Sequence, residues 1–558
     1  MKQRNIAARR QFLKTMAAAT GTLAVAPALT GCTPARFKHG VASGDPLKDR
    51  VIIWTRVSPR RGLKVLVAWE VSKDPQFRRL LARGQTFTDE SVDFTVKIDV
   101  EGLKPGNKYF YRFHTSSAVS PTGVTRTLPD DDIKELSFAV FSCANYPAGY
   151  FNVYAEAAKR ASELDYALHL GDYLYEYARG GYASESASAM NREVEPAHEL
   201  LALADYRMRY AQYRTDADLQ AAHRKLPFIC VWDDHEITND TWKEGAENHN
   251  EGEGDFDERK DAAIQAYYEW MPIREVDERE KIYRSFDFGK LLSLHMLDTR
   301  VIARDEQLSY FNYFTAEGSF DAAAFTNDIS DPNRHLLGAD QVGYLQQKMV
   351  ESAATWQVLG QQVLMAPLVL PAPLTLQQIS LEDYQALLGK AQTDPASLSA
   401  EEIAVLNAPS VPLNLDAWDG YPAAREQVLQ TAVALDKNLI SLAGDTHNAW
   451  ASDLNTLDGT PAGVEFATSS VSSPGFEEYL VDIVPDLLAG ALVQFAEPLK
   501  YANTQHRGFM ILTISHQRAM SKFVFIDTVK SKDYSVLSER EMKLAVLPGA
   551  AGRRVLPV

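Results

Sequence analysis

Asp445 and His447 stand two residues apart in LAGDTHNAW (442–450), just past the apolar run NLISLAG. A carboxylate and an imidazole so placed can both hold a metal ion, although Asp, Thr and Asn are also ordinary turn formers. Three other apolar runs end in a similar way. LSFAVFSC closes on Cys143, YALHLGDYLYEY carries Asp172 and Tyr175 past its apolar part, and PFICVWDDHE ends in Asp233, Asp234 and His235. Each has a structural reading when taken alone. Cys143 suits a core, Asp172 a turn or helix cap, the tyrosines an aromatic stripe, and DDHE a capped helix start. Four strand-like runs that all end in potential ligands are harder to assign to coincidence.

The donor types point to more than one ion. Carboxylates suit hard cations such as Ca²⁺, Mg²⁺ or Fe³⁺, whereas thiolate, imidazole and phenolate suit a transition metal. A lone structural zinc would want four closely spaced Cys or His residues, which the chain lacks. No G-x-S-x-G elbow, P-loop or dinucleotide fingerprint is present either.

The elements that must position these residues fall into two groups. At 558 residues the chain is too long for one compact core, and its 46% hydrophobic and 23% charged composition is that of a globular protein. From about 38 to 128, DRVIIWTRV, LKVLVAWEVS and FTVKIDV read as short strands, and Pro105–Gly106 makes a turn before KYFYRF. That pattern predicts a fibronectin-like β-sandwich. From 135 to 530, apolar runs alternate with helical stretches such as FNVYAEAAKRASE and LADYRMRYAQYRTD, which predicts an α/β domain with its site beyond the carboxyl ends of the strands. Residues 372–416 read as an irregular insert and a candidate lid. Cys230, inside LPFICVW, reads as core, and nothing requires a disulfide between it and Cys143.

Residues 1–31 read as a signal peptide, with a basic start, a short apolar centre and small residues before Cys32. Arg9 and Arg10, followed by Phe12, Leu13 and Lys14, resemble a twin-arginine (Tat) export signal, and LTGC (29–32) resembles a lipobox that would make Cys32 a lipid anchor. The expected product is periplasmic or a membrane-anchored lipoprotein, and a monomer. Its net charge of −17 becomes more negative once the five basic residues of the signal are removed. Such a chain is a poor partner for nucleic acid or anionic lipid, and an anionic substrate would need local positive charge that metal ions can supply.

GDYLYEY, WDDHEITND, LDTR, AWDGYPAAR and GDTHNAW, in this order, resemble the alkaline phosphatase D (PhoD-like) family of the metallophosphoesterases. FKHGVASGDPLKDRVIIWTRV (37–57) resembles that family's N-terminal β-sandwich, so the likeness spans nearly the whole mature chain. It implies a four-layer α-β-β-α sandwich preceded by a small fibronectin/Ig-like β-sandwich. It further implies one Fe³⁺ and two Ca²⁺, and hydrolysis of phosphomonoesters or phosphodiesters by a metal-activated oxygen nucleophile. The general superfamily pattern is D-x-H, G-D, G-N-H and G-H-x-H. Here Cys143 stands where D-x-H is expected, Asp234 where the Asn would be, and Asp445 where the first His would be. The expected ligands are Cys143, Asp172, Tyr175, Asp234, Asp445 and His447, with Asp172 bridging. His235 is expected to stabilise the transition state or protonate the leaving oxygen. Two other readings compete. One is a phospholipase D-type phosphodiesterase on the same scaffold. The other is a lipid-anchored binding protein with a dead hydrolase domain, against which the intact ligand set argues.

Overall fold

The computed structural model describes residues 36–59, 64–316 and 318–558. The twin arginines and Cys32 lie outside them. No helix among the described residues is long and apolar enough to cross a membrane.

The N-terminal strands are β1 (Val41–Gly44), β2 (Val51–Arg56), β3 (Val65–Ser72), β4 (Leu80–Thr88), β5 (Thr95–Val100), β6 (Lys108–His114) and β7 (Gly123–Arg126). They form two layers, β1-β2-β5 and β4-β3-β6-β7, around Val51, Ile53, Val67, Val71, Tyr111 and Phe113. This sandwich is not a hinged spacer. β1 also pairs in parallel with β10 (Phe228–Cys230), so its inner layer continues the main sheet of the α/β domain. The join needs Gly44, because a Cβ there would lie 2.3 Å from the Phe228 carbonyl oxygen.

That main sheet has ten strands, with β8 (Glu135–Phe141), β9 (Tyr166–His169) and β10 running parallel at its centre. It extends past residue 530, where the sequence placed the end of the domain, through strands Met542–Val546 and Leu556–Pro557. A second sheet of seven strands holds Leu292–Met296, Trp356–Gly360, Asn438–Ala443 and Pro461–Ala467 in parallel.

The sheets stack face to face, and the period of two shows why. Val358, Ile440 and Leu442 join the core shared with Phe138 and Leu168, whereas Leu359, Leu439 and Ala443 join a second core with Leu345, Met349, Val428 and Leu429 on helices Gly338–Glu351 and Pro422–Ala434. Helices Asn152–Lys159, Leu203–Tyr213, Ala217–Lys225 and Phe256–Trp270 supply further residues to the first core. The result is the four-layer α-β-β-α sandwich.

The insert after residue 372 is more ordered than its sequence suggests. Helices Leu381–Thr393 and Ala400–Leu406 sit between the paired strands Val369–Pro371 and Ser410–Pro412. Tyr384 packs on Phe495 of helix Pro485–Phe495 at 5.7 Å. Only Tyr384 and Leu387 of the first helix are buried and no residue of the second is, so no strong periodicity stands out in the sequence.

Candidate active site

The carboxyl ends of β8, β9, β10 and strand Asn438–Ala443 deliver the expected residues to one edge of the sandwich. Three come from the first sheet and one from the second. Gly171 lets the β9 and β10 ends approach: its φ is +112°, and a Cβ would lie 2.3 Å from the Asp233 Cβ.

Four of the expected ligands have left-handed backbone: Cys143 (φ 60°), Asp172 (54°), Asp445 (60°) and His447 (62°). Each costs on the order of 1 kcal/mol or more for a residue with a side chain, and such strain gathers at functional sites. It also decides how two residues spaced i and i+2, which an extended strand would point to one side, come to face one site. Asp445 and His447 do not share a side through strand alternation, because the strand has ended at Ala443 and the turn has two left-handed residues instead. Thr446 does face elsewhere, its hydroxyl accepting from the Trp450 indole at 2.7 Å.

Three groups of potential ligand atoms, each within 4.8 Å of one another, form at this edge: Cys143–Asp172–His447, Asp172–Asp234–His235 and Asp233–Asp234–Asp445. Asp172 belongs to two of them. Tyr175 joins the first group, donating to Asp172 Oδ2 at 3.0 Å with its hydroxyl 3.1 Å from His447 Nε2. Ser473 Oγ lies 2.7 Å from that hydroxyl and 3.0 Å from the Cys143 carbonyl oxygen. His447 Nδ1 donates to the Pro474 carbonyl at 2.7 Å, which leaves Nε2 free to act as a ligand. Cys143 and Cys230 are both buried and unbridged.

The site is crowded with acid. Burial and the neighbouring Asp233 and Asp234 hold the Asp172 carboxyl well above the usual range, although His235 opposes this. Burial and Asp233 do the same to Asp445. Burial and Asp172 push both the Cys143 thiol and the Tyr175 phenol up. His447 is pushed down to about 3 by burial, so its ring is neutral. For His235, burial opposes the charge but Asp234 and Glu176 outweigh it and raise the pKa well above the ordinary value.

Several contributors were not singled out from sequence. Arg300, fully buried, donates to Asp233 at 2.5 Å, Asp416 at 2.7 Å and Asp445 at 3.3 Å. Glu176 accepts from His235 Nδ1 at 2.7 Å and is itself held by Thr238, Asn239 and Asn248. Glu236 accepts the backbone N–H groups of Asp172, Tyr173 and Asp233, locking two strand ends together. Glu176, Glu236 and Arg300 sit inside GDYLYEY, WDDHE and LDTR, so the signal was present in the motifs but their partners were not. Tyr173, by contrast, is a core residue whose hydroxyl meets His223 and Arg214.

Comparison with known proteins gives the family. Residues 138–523 match the family model for PhoD-like phosphatase, and residues 24–129 that for its N-terminal domain. Alkaline phosphatase D of Bacillus subtilis (strain 168) is 35% identical over 457 residues, covering 79% of this chain and 70% of that one. A solved structure of PhoD superposes with a TM-score of 0.76 at 30% identity, covering 96% of this chain and 93% of the other. The chain therefore belongs to the PhoD-like phosphatase family and is a phosphoric ester hydrolase.

Proposed function

We propose that the protein is an exported, metal-dependent alkaline phosphatase in which Cys143, Asp172, Tyr175 and His447 hold Fe³⁺, while Asp172, Asp234 and Asp445 serve two Ca²⁺. The observation that carries this reading is the pair of carboxylate oxygens Asp172 Oδ1 and Asp234 Oδ1, both buried and without a hydrogen-bond partner, Asp234 Oδ1 having only the Arg300 guanidinium 3.8 Å away. A buried carboxylate oxygen left unpaired is costly, and a cation satisfies it. The donor set fits the ions: thiolate, phenolate and imidazole gather on one side of Asp172 and carboxylates on the other.

The ions, when bound, offset phosphate charge and make an oxygen nucleophile available near neutral pH. The protein does the rest. Glu176 fixes the His235 ring through Nδ1 and favours its charged form, so Nε2 can give a proton to the leaving alcohol oxygen. As the P–O bond breaks, its electron pair stays on that oxygen and the proton neutralises it. Tyr175 and Tyr177 lie 4.1 and 5.4 Å from the His235 ring and shield it from bulk water. Monoesters and diesters share this chemistry, and product analysis with both kinds of substrate assigns the preference.

Metal analysis of protein purified without chelator should find iron and calcium, and chelation should abolish activity. Tyr175→Phe should bleach the visible absorption, because a phenolate on Fe³⁺ gives a charge-transfer band and a cation lowers the phenol's free pKa of about 10. A wild type that is colourless and fully active would remove both the iron and the Tyr175 assignments.

Export rests on ARRQFLK and LTGC. Replacing Arg9 and Arg10 by Lys should block it, and Cys32→Ala should release the protein from the membrane fraction. One acyl chain binds membranes only marginally, so anchoring through Cys32 would need several. Protein that is soluble in the periplasm with Cys32 intact would leave an ordinary cleaved signal.

A further inference from the structure

The left-handed backbone at the end of β9 turns successive N–H groups toward one point. Gly171 and Asp172 both have positive φ, 112° and 54°, and the N–H groups of Asp172 and Tyr173 converge on the buried Glu236 carboxylate. Consecutive backbone N–H groups in such a turn form a concavity that binds an anion, and here the anion is a side chain of the same protein. The Glu236 oxygen that accepts from Asp172 at 3.0 Å also accepts from Asp233 at 2.7 Å, so one atom bridges the turns that end β9 and β10.

The two neighbours of β9 are tied to it unequally. Toward β8, backbone bonding continues up to the ligands: Leu170 N–H donates to the Phe141 carbonyl at 2.9 Å, Cys143 N–H to Gly171 at 3.2 Å and Ala144 N–H to Asp172 at 2.8 Å. Toward β10, the last such bond among the described residues runs from Val231 N–H to the His169 carbonyl at 3.0 Å, before either turn begins. Beyond it the turns are joined by side chains: Glu236 at Asp172 and Asp233, and Glu176 farther along, at His235 and Asn239. Asp172 is therefore held to Cys143 by backbone, and to the Asp233–Asp234 pair through Glu236.

We propose that Glu236 is a positioning residue for one part of the metal site only: it sets the spacing of Asp172 and Asp234, and so the affinity for calcium, while the iron group is held without it. The inference rests on the assignment of calcium to Asp172, Asp234 and Asp445 and of iron to Cys143, Asp172, Tyr175 and His447. Two ligands from different strands hold one ion well only if their spacing is fixed beforehand, and residues that hold ligands in place change metal affinity by about 10- to 100-fold. The iron group keeps its own supports when Glu236 is changed. Tyr175 still donates to Asp172, Ser473 to the Tyr175 hydroxyl, and His447 to the Pro474 carbonyl.

The test is Glu236→Gln, which keeps the shape but offers one acceptor oxygen to three N–H groups and turns an NH₂ group toward them. Glu465→Gln is the control. Glu465 is also buried and accepts two backbone N–H groups, from Met365 and Ala366 at 2.8 and 2.9 Å, but its hydrogen bonds reach no candidate ligand. Both variants should lose stability in denaturant unfolding, since each leaves buried N–H groups short of an acceptor. In calcium-buffered titrations of iron-loaded protein, Glu236→Gln should raise the calcium dissociation constant at least about tenfold, with iron content and the visible band unchanged. Glu465→Gln should leave all three unchanged. Should Glu236→Gln not fold, Glu236→Asp, which keeps the charge on a shorter arm, carries the same selective expectation. Calcium affinity within about twofold of wild type in the Glu236 variant, an equal loss of iron, or the same weakening in Glu465→Gln would each overturn the proposal. A wild type that lacks either ion would instead overturn the reading of the site, and the proposal with it.

Discussion

Asp445→Ala and His447→Ala will each lower the rate of phosphoester hydrolysis by at least about a hundredfold, while Thr446→Val between them will change it little. The three residues share one short turn, so a loss of local structure would affect all three alike. What separates them is where they face. His447 Nε2 meets Tyr175 and the Cys143–Asp172 group, Asp445 meets Asp233, Asp234 and Arg300, and Thr446 is bonded to Trp450 on the other side. His447→Ala should reduce iron content and Asp445→Ala calcium content. The assignment fails if Thr446→Val is as damaging as the other two, or if metal content stays constant in all three.

Arg300→Met should destabilise the protein by about 3–5 kcal/mol, read from denaturant unfolding at matched metal content. The guanidinium is fully buried and is the shared cation of Asp233, Asp416 and Asp445, with Asp234 a more distant fourth at 3.8 Å. Met preserves most of the volume but leaves three buried carboxylates without it. Arg304, which also reaches Asp416, compensates at only one of the three. Arg300→Lys should recover a fraction of the loss, because an ammonium is a point charge and cannot form the three-way fork. A stability within 1 kcal/mol of wild type for the Met variant would mean that the carboxylates are balanced by something other than Arg300.

Much of this was legible in the chain itself. Hydrophobic runs of strand length, their alternation with helical stretches, and donor residues placed just past each run marked both the α/β domain and Cys143, Asp172, Tyr175, Asp234, His235, Asp445 and His447. Those features are local: burial periodicity and side-chain chemistry are written residue by residue. Tertiary structure decided the rest. The left-handed backbone at Asp445 and His447, which replaces strand alternation as the reason they meet one site, is imposed by the packing around the turn. Asp445 meets Asp233 and Asp234 only because two different sheets stack and their strand ends coincide. The Arg300–Asp416 pair joins residues 116 apart, and the Tyr175–His447 contact joins residues 272 apart. The need for glycine at 44 arises only where β1 is set against β10. Such contacts depend on the relative placement of whole elements, so the spacing of ligands along a strand end can be read from sequence, whereas the residues that hold those ligands in place emerge only when the layers close on one another.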